Sequence, residues 1–314
     1  MPSSMIQSIK WDGQQITVPG IYSRLPLDNY HRGDICDGPS VSSSTLRTLI
    51  NTSPAHAWAA CPLNPSRAEP KETEAFALGR ATHHLLAAEI GFENVFAIRP
   101  EQIGGEAWQG NRTVCRKWLA QAKREGKTVL TPAQVEQIRG MAVSLGQHPL
   151  VQAGILNGLI ERSMFWRDPE TGLWLKARPD AIPSDDGDFS DLKTCLSTLY
   201  LDLQRSISEF GYVQQAALTF EGARALGIEA SSFNLVWIEK EQPHCVRVQQ
   251  LRDEDIDRGT KLNRVAVRMF ADCLSTGIWP GPGDDRPDAE FVDLPEWKRT
   301  QIDERLRLQL REAA

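Results

Sequence analysis

Between Trp174 and Cys195 the chain reads WLKARPDAIPSDDGDFSDLKTC, and no other stretch limits its fold so narrowly. Two short strands, Trp174 to Ile182 and Phe189 to Cys195, are expected on either side of a PSDDGD turn whose Pro, Asp and Gly favour chain reversal. The hairpin brings Asp180, near the end of the first strand, alongside Asp191 and Lys193 on the second. Side chains alternate across a strand, so Asp191 and Lys193 share one face while Leu192 turns to the opposite, buried one. Two carboxylates and an ammonium then meet. Like charges this close raise each other's pKa unless a cation lies between them, which makes a divalent metal the economical explanation. Oxygen donors favour magnesium or manganese. A solvated cross-strand pair of Asp and Lys fits the same letters, so the surroundings have to decide.

A chain of 314 residues can bury a substantial core, as one large domain with appendages or as two domains. Its net charge of −6 announces no polyanion partner, so a DNA-binding surface has to be local or fed by metal ions. No apolar run approaches a membrane span and the first residues lack the apolar core of a secretory signal, so the expected compartment is the cytoplasm, with no membrane partner. Cys36, Cys61, Cys115, Cys195, Cys245 and Cys273 are scattered without C-x-x-C pairing. That pattern points to reduced thiols rather than a zinc ribbon or iron-sulfur cluster.

Residues 1 to about 40 look like an irregular arm, followed by short helices over Val41 to Ile50 and from Ser53-Pro54 onward. From Thr73 to Ile90 helical spacing puts Phe76, His83, Leu86, Ala87 and Ile90 near one stripe, so His83 faces inward and His84 lies to one side. An inward histidine is either a core residue or a ligand. Asn111 to Lys127 is basic; if helical, Arg112, Arg116 and Lys123 share a side, which suits phosphates or plain solvent equally. Thr131-Pro132-Ala133-Gln134 has the form of a capping box. Gly158 to Trp166 begins a strand-rich centre, with a turn at Arg167 to Gly172. A three-stranded meander there places Glu161 where it can add a third carboxylate, or leaves it an ordinary edge-strand acid. Ser208 to Leu226 reads as a helix with Phe210, Val213, Ala217 and Phe220 inward and Gln214 and Gln215 near its start. Phe233 to Ile238 and Cys245 to Leu251 form a strand pair, and Asp253 to Ser275 a long helix closed by Gly277.

Arg178-Pro179-Asp180 followed by Asp191-Leu192-Lys193 resembles the PD-(D/E)XK nuclease signature in its D-x-K form. More narrowly, the chain resembles the phage-type exonuclease VIII (RecE-like) nucleases. The likeness runs through Tyr30-His31-Arg32-Gly33, Ser42 to Trp58, Leu78-Gly79-Arg80-Ala81-Thr82-His83, Trp166 to Gly172, Trp279-Pro280 and Leu294-Pro295-Glu296-Trp297. It implies an α/β (α+β) fold: a restriction-endonuclease-like core with a central mixed β-sheet flanked by helices and a helical N-terminal region. Its expected parts are an N-terminal arm with short helices (1–70), a nuclease core (71–295) and a C-terminal helix (296–314).

The resemblance further implies a metal-dependent exonuclease that degrades one strand of duplex DNA from its 5′ end and leaves a 3′ single-stranded tail. It also implies a ring-shaped homotetramer and a single-strand annealing recombinase as partner. His83, Glu161, Asp180, Asp191 and the Leu192 carbonyl match the metal-binding positions, for one or two Mg2+ or Mn2+ ions. Lys193 matches the motif lysine, which orients or deprotonates the attacking water, and Gln214 the glutamine of the following helix. Arg178 joins Arg112, Arg116 and Lys123 as candidate DNA contacts. The tyrosine usual four residues after the glutamine is Leu218 here, so its role is lost or moved to Tyr212. An endonuclease, a single-strand-specific nuclease and a non-catalytic DNA-binding protein are the competing readings.

Overall fold

The structure, a computed structural model, describes residues 7–68, 73–86, 91–160, 162–183, 187–283 and 288–312. The chain separates into two units, residues 1–279 and 280–314.

In chain order, the N-terminal arm supplies β1 (Ile9–Lys10), β2 (Gly20–Ser23), the single turn α1 (Leu27–Tyr30) and β3 (Ser40–Ser42). The helices α2 (Ser43–Asn51) and α3 (Pro54–Ala60) follow. Next come α4 (Glu74–Leu86), α5 (Phe92–Val95), β4 (Phe96–Ile98), β5 (Gln102–Ile103), β6 (Glu106–Ala107), α6 (Thr113–Arg124), β7 (Thr128–Leu130), α7 (Pro132–Gln147) and α8 (Pro149–Gln152). The centre is β8 (Leu159–Ile160), β9 (Ser163–Arg167), β10 (Trp174–Ala177), β11 (Ala181–Ile182) and β12 (Asp188–Cys195). It leads into α9 (Tyr200–Glu209), α10 (Tyr212–Ala225), β13 (Ser232–Glu239), β14 (Val246–Gln250) and α11 (Asp253–Thr276), while α12 (Glu296–Glu312) lies in the second unit.

Local chemistry sets the helix ends. The Ser53 hydroxyl accepts the His56 N–H at 3.3 Å with Pro54 in the first turn. Thr131 and Gln134 exchange caps, the Gln134 N–H to Thr131 Oγ1 at 3.2 Å and the Thr131 N–H to Gln134 Oε1 at 2.8 Å. Gly277, at φ 72°, closes α11 in the left-handed region that a side chain would strain.

The mixed β core flanked by helices is present, divided between two five-stranded sheets. One has the order β1-β2-β9-β10-β3 and the other β14-β13-β12-β11-β8. The expectation of a single strand from Trp174 to Ile182 is corrected: β10 belongs to the first sheet and β11 to the second. Pro179 between them has no N–H to donate to a ladder, and the chain changes sheets there.

Three apolar clusters follow from this division. The largest packs Leu175 and Ala177 of β10, Phe189 of β12 and Leu235 and Trp237 of β13 against Leu46, Ala217 and Val267 of α2, α10 and α11. Leu192, Val236 and Ile238 point the other way, onto Leu78 and Ala81 of α4 and Ile138 and Met141 of α7. The arm covers the remaining face, laying Ile16, Tyr22, Leu25 and Tyr30 over Phe165 and Trp174. Lys176 is buried on that face, and its ammonium donates to the Tyr30 carbonyl at 2.8 Å and the Arg32 carbonyl at 3.3 Å. Burial pulls its pKa down to about 8.

Candidate active site

Strand β12 runs parallel to β13 along its whole length, but pairs with β11 only at Ala181 and Ser190. Continuing that antiparallel register sets Asp180 opposite Asp191, on one face. Because the chain leaves the ladder at Pro179, the edge of β12 is open past Ser190. The Leu192 N–H fills that gap by donating to Asp180 Oδ2 at 2.6 Å. Asp180 Oδ1 lies 3.4 Å from His83 Nδ1, delivered by α4. Asp191 and Lys193 share a face, as alternation requires, and form an ion pair. Gln215, in the first turn of α10, bridges them: its Nε2 donates to Asp191 Oδ1 at 2.9 Å, and its Oε1 accepts from Lys193 Nζ at 3.4 Å.

Burial sets the electrostatics. Burial above all, with the Asp180 charge behind it, pushes the Asp191 carboxyl up, and Lys193 offsets only part of this. Burial acts on Asp180 in the same direction, but His83, Lys193 and the Leu192 N–H outweigh it and hold this carboxyl below the usual range. For Lys193, burial favours the neutral amine, yet the Asp191 charge wins and the ammonium is stabilised. His83 is likewise raised against its burial by Asp180. Lys193 thus stands as a held cation.

The sequence-predicted residues divide in three. His83, Asp180, Asp191 and Lys193 come together with the Leu192 backbone, whose N–H is the group engaged. Glu161 lies outside the described residues, as do Ala87 and Ile90 of the expected helical stripe. Gln214 does not reach the cluster, and Arg178, expected as a DNA contact, is engaged within the fold. Gln214 is buried one position round the helix, donating to Asn263 Oδ1 at 3.3 Å while Asn263 Nδ2 donates to the Gln214 carbonyl at 2.8 Å. A helix turns its side chains about 100° per residue, so the neighbouring Gln215 faces the acids instead. Arg178 points into the fold, donating to the Leu25 carbonyl at 2.8 Å and to Ser163 Oγ at 3.3 Å.

On α6, Arg116 and Lys123 are exposed beside Lys117 and Arg124. Arg112 precedes the helix and is paired with Glu106 at 2.6 Å. His84, expected to one side, is the buried member of the histidine pair and packs on Phe92 and Phe96. Tyr212, the alternative bearer of the family tyrosine's role, lies beside the cluster, and so does Arg47, which no sequence motif marks. The Lys193 ammonium lies 4.7 Å from the Tyr212 ring centre, and Arg47 of α2 donates to the Phe210 carbonyl within the field of Tyr212 and Asp191.

Among the described residues, no three His, Cys, Asp or Glu side chains already form a cation cage. The donor chemistry nevertheless fits a divalent ion. One imidazole and two facing carboxylates are nitrogen and oxygen ligands, and a cation would offset both the burial of the Asp191 charge and its repulsion from Asp180.

Asp180 at a strand switch, with Asp191 and Lys193 two apart on the neighbouring strand, has the spacing of the PD-(D/E)XK signature in a mixed α/β fold. The chain belongs to the family described as PDDEXK-like domain of unknown function (DUF3799), which matches residues 42–285. A search of curated proteins returns no match. Among solved structures, a candidate exonuclease from Eubacterium rectale is similar over 87% of this chain and 94% of its own, with a TM-score of 0.55 and 12% identity. A phage-related exonuclease from Haemophilus somnus aligns over 76% of this chain and 96% of its own, at 13% identity and a TM-score of 0.34. The first likeness bears on the fold; the second is too distant to carry weight.

Proposed function

We propose that the chain is a metal-dependent exodeoxyribonuclease that resects one strand of linear duplex DNA from its 5′ end, leaving a 3′ single-stranded tail for strand annealing. The observation that carries the nuclease reading is the convergence of Asp180, Asp191, Lys193 and His83 on one recessed, partly exposed spot within a PDDEXK-like fold. Nucleases of this superfamily typically use divalent metals; Asp180, Asp191 and His83 would hold the ion, with Glu161 the candidate donor to a second. Magnesium, or manganese, would supply Lewis acidity, neutralising a nonbridging phosphate oxygen and lowering the pKa of the attacking water.

The chain's own groups do the remaining work. Lys193, tethered between Asp191 and Gln215, orients the water and offsets the negative charge that develops on the phosphate. As an ammonium it donates protons rather than accepting them, which favours the orienting role over that of a base. Gln215 keeps the lysine and the acid in register. The Leu192 N–H holds Asp180 in one orientation, and the buried setting of Asp191 strengthens each of these interactions. Arg116 and Lys123 offer an exposed track for phosphates. A ring-shaped homotetramer would supply processivity to a chain whose net charge is −6, and the tail suits a single-strand annealing recombinase.

The test is digestion of linear duplex labelled at one 5′ or one 3′ end, beside a covalently closed circle. Loss of 5′ label as mononucleotides from linear DNA alone is expected. Cutting of the closed circle would assign an endonuclease instead.

A further inference from the structure

Phe210 is a large aromatic side chain 52% exposed, two residues before the Tyr212 ring that meets the candidate site. The sequence puts it inward on a continuous helix. The structure breaks that helix at Gly211, which adopts φ 61°, and the break turns Phe210 outward.

The exposed ring sits on backbone that is pinned from several sides. Arg47 donates to the Phe210 carbonyl, and the Phe210 N–H donates to the Ser206 carbonyl at 3.0 Å. The Arg47 stem also packs so close to Gly211 that an added Cβ would lie 2.9 Å from its Cδ. One residue further on, the Tyr212 ring lies 5.8 Å from Phe210, centre to centre, packs against Trp237, and has the Lys193 ammonium 4.7 Å from its centre. A rigid, solvent-facing aromatic step therefore leads to the lysine of the candidate active site.

Asp191 and Lys193 are recessed, with side chains only 3% and 18% exposed. A backbone phosphate that reaches them leaves its stacked helix, and the adjoining base needs a surface to replace its lost neighbours. Flat aromatic faces stack any base without reading its edges. We propose that Phe210, backed by Tyr212, is a stacking platform for an unpaired base of the strand being cut; this deepens the nuclease reading and rests on it. The platform grips DNA without choosing sequence.

The experiment pairs Phe210→Ala and Phe210→Trp with substrates lacking one base. Linear duplexes carry a single abasic nucleotide on one side or the other of the phosphate to be cut, and KM and kcat are measured with Mg2+. Phe210→Ala should raise KM about tenfold on intact DNA, the size expected when a stacking aromatic is removed. Wild-type protein should suffer a similar loss on one of the abasic substrates, while Phe210→Ala is indifferent to the missing base and Phe210→Trp behaves as wild type. Additive losses, unchanged kinetics in Phe210→Ala, or a change of oligomeric state that explains the loss would each overturn the platform. No cleavage by wild-type protein with Mg2+ or Mn2+ would instead overturn the nuclease reading on which it rests.

Discussion

Asp168 and Asp191 are both almost fully buried, 1% and 2% exposed, and each has a cation beside it, yet they are held in opposite ways. Asp168 begins the turn after β9. It accepts the Thr171 N–H and hydroxyl at 2.9 and 2.7 Å and pairs with Arg264 of α11 at 2.7 Å. Burial alone would raise this carboxyl, but Arg264 and Thr171 hold it below the usual range. Arg264 and Arg268 in turn bracket Glu170, so the cluster locks turn to helix. Asp191 has a lysine and one glutamine, faces a second carboxylate, and is pushed up. The first arrangement is closed on itself. The second would be stabilised further by an added cation, as the proposed metal-dependent chemistry requires.

The comparison breaks most sharply at the lysine. Lys193→Ala should lower kcat by about a hundred- to a thousandfold, the size of a lost charge-stabilising donor, with the fold intact by circular dichroism. Arg264→Met is its opposite: it should cost about 3–5 kcal/mol in denaturant unfolding by leaving Asp168 buried without its cation. Folded Arg264→Met protein should keep its turnover number. Asp191→Asn extends the contrast. With Mg2+ present it should abolish cleavage in protein that remains folded, whereas Asp168→Asn should lower the thermal midpoint and leave cleavage per folded molecule unchanged.

A second pair sharpens the same point through pH. Lys193 has carboxylates around it and stays charged; Lys176, 2% exposed, meets carbonyls, a ring and the Cys36 and Cys61 thiols among the described residues, and burial drops it from 10.5 to about 8. Between those values the unfolded chain holds the extra proton, so this group makes stability rise with pH from about 8 to 10.5. Compared with Lys176→Met, wild-type protein should gain about 3 kcal/mol across that window in urea titrations. The smallest contrast separates two adjacent glutamines. Gln215→Ala should lower kcat about tenfold through a loosened lysine, while Gln214→Ala should cost about 1–2 kcal/mol of stability and spare kcat.

How far these features can be read before folding depends on their range. Alternation along one strand is local, so Asp191, Lys193 and the opposed Leu192 were legible as letters, and so were the Ser53 and Thr131 caps. The partners of a helix residue are not local. Gln214 and Gln215 differ by one step of rotation, and only packing against Asn263 of α11 decides which faces the acids. Phe210 fits an inward stripe until Gly211 takes a left-handed conformation that periodicity does not report. The strand switch at Pro179 leaves the hydrophobic pattern intact while moving the chain between sheets. Nothing near Lys176 in sequence announces the arm that covers it.

The most direct measurement is single-turnover hydrolysis of a 5′-labelled linear duplex, followed as Mg2+ is titrated in and then chelated, with Lys193→Ala run beside wild type. Mononucleotide release that appears with Mg2+, vanishes with chelator and is lost in Lys193→Ala is the predicted result. Release that ignores chelation, or Lys193→Ala cutting at the wild-type rate, would contradict it.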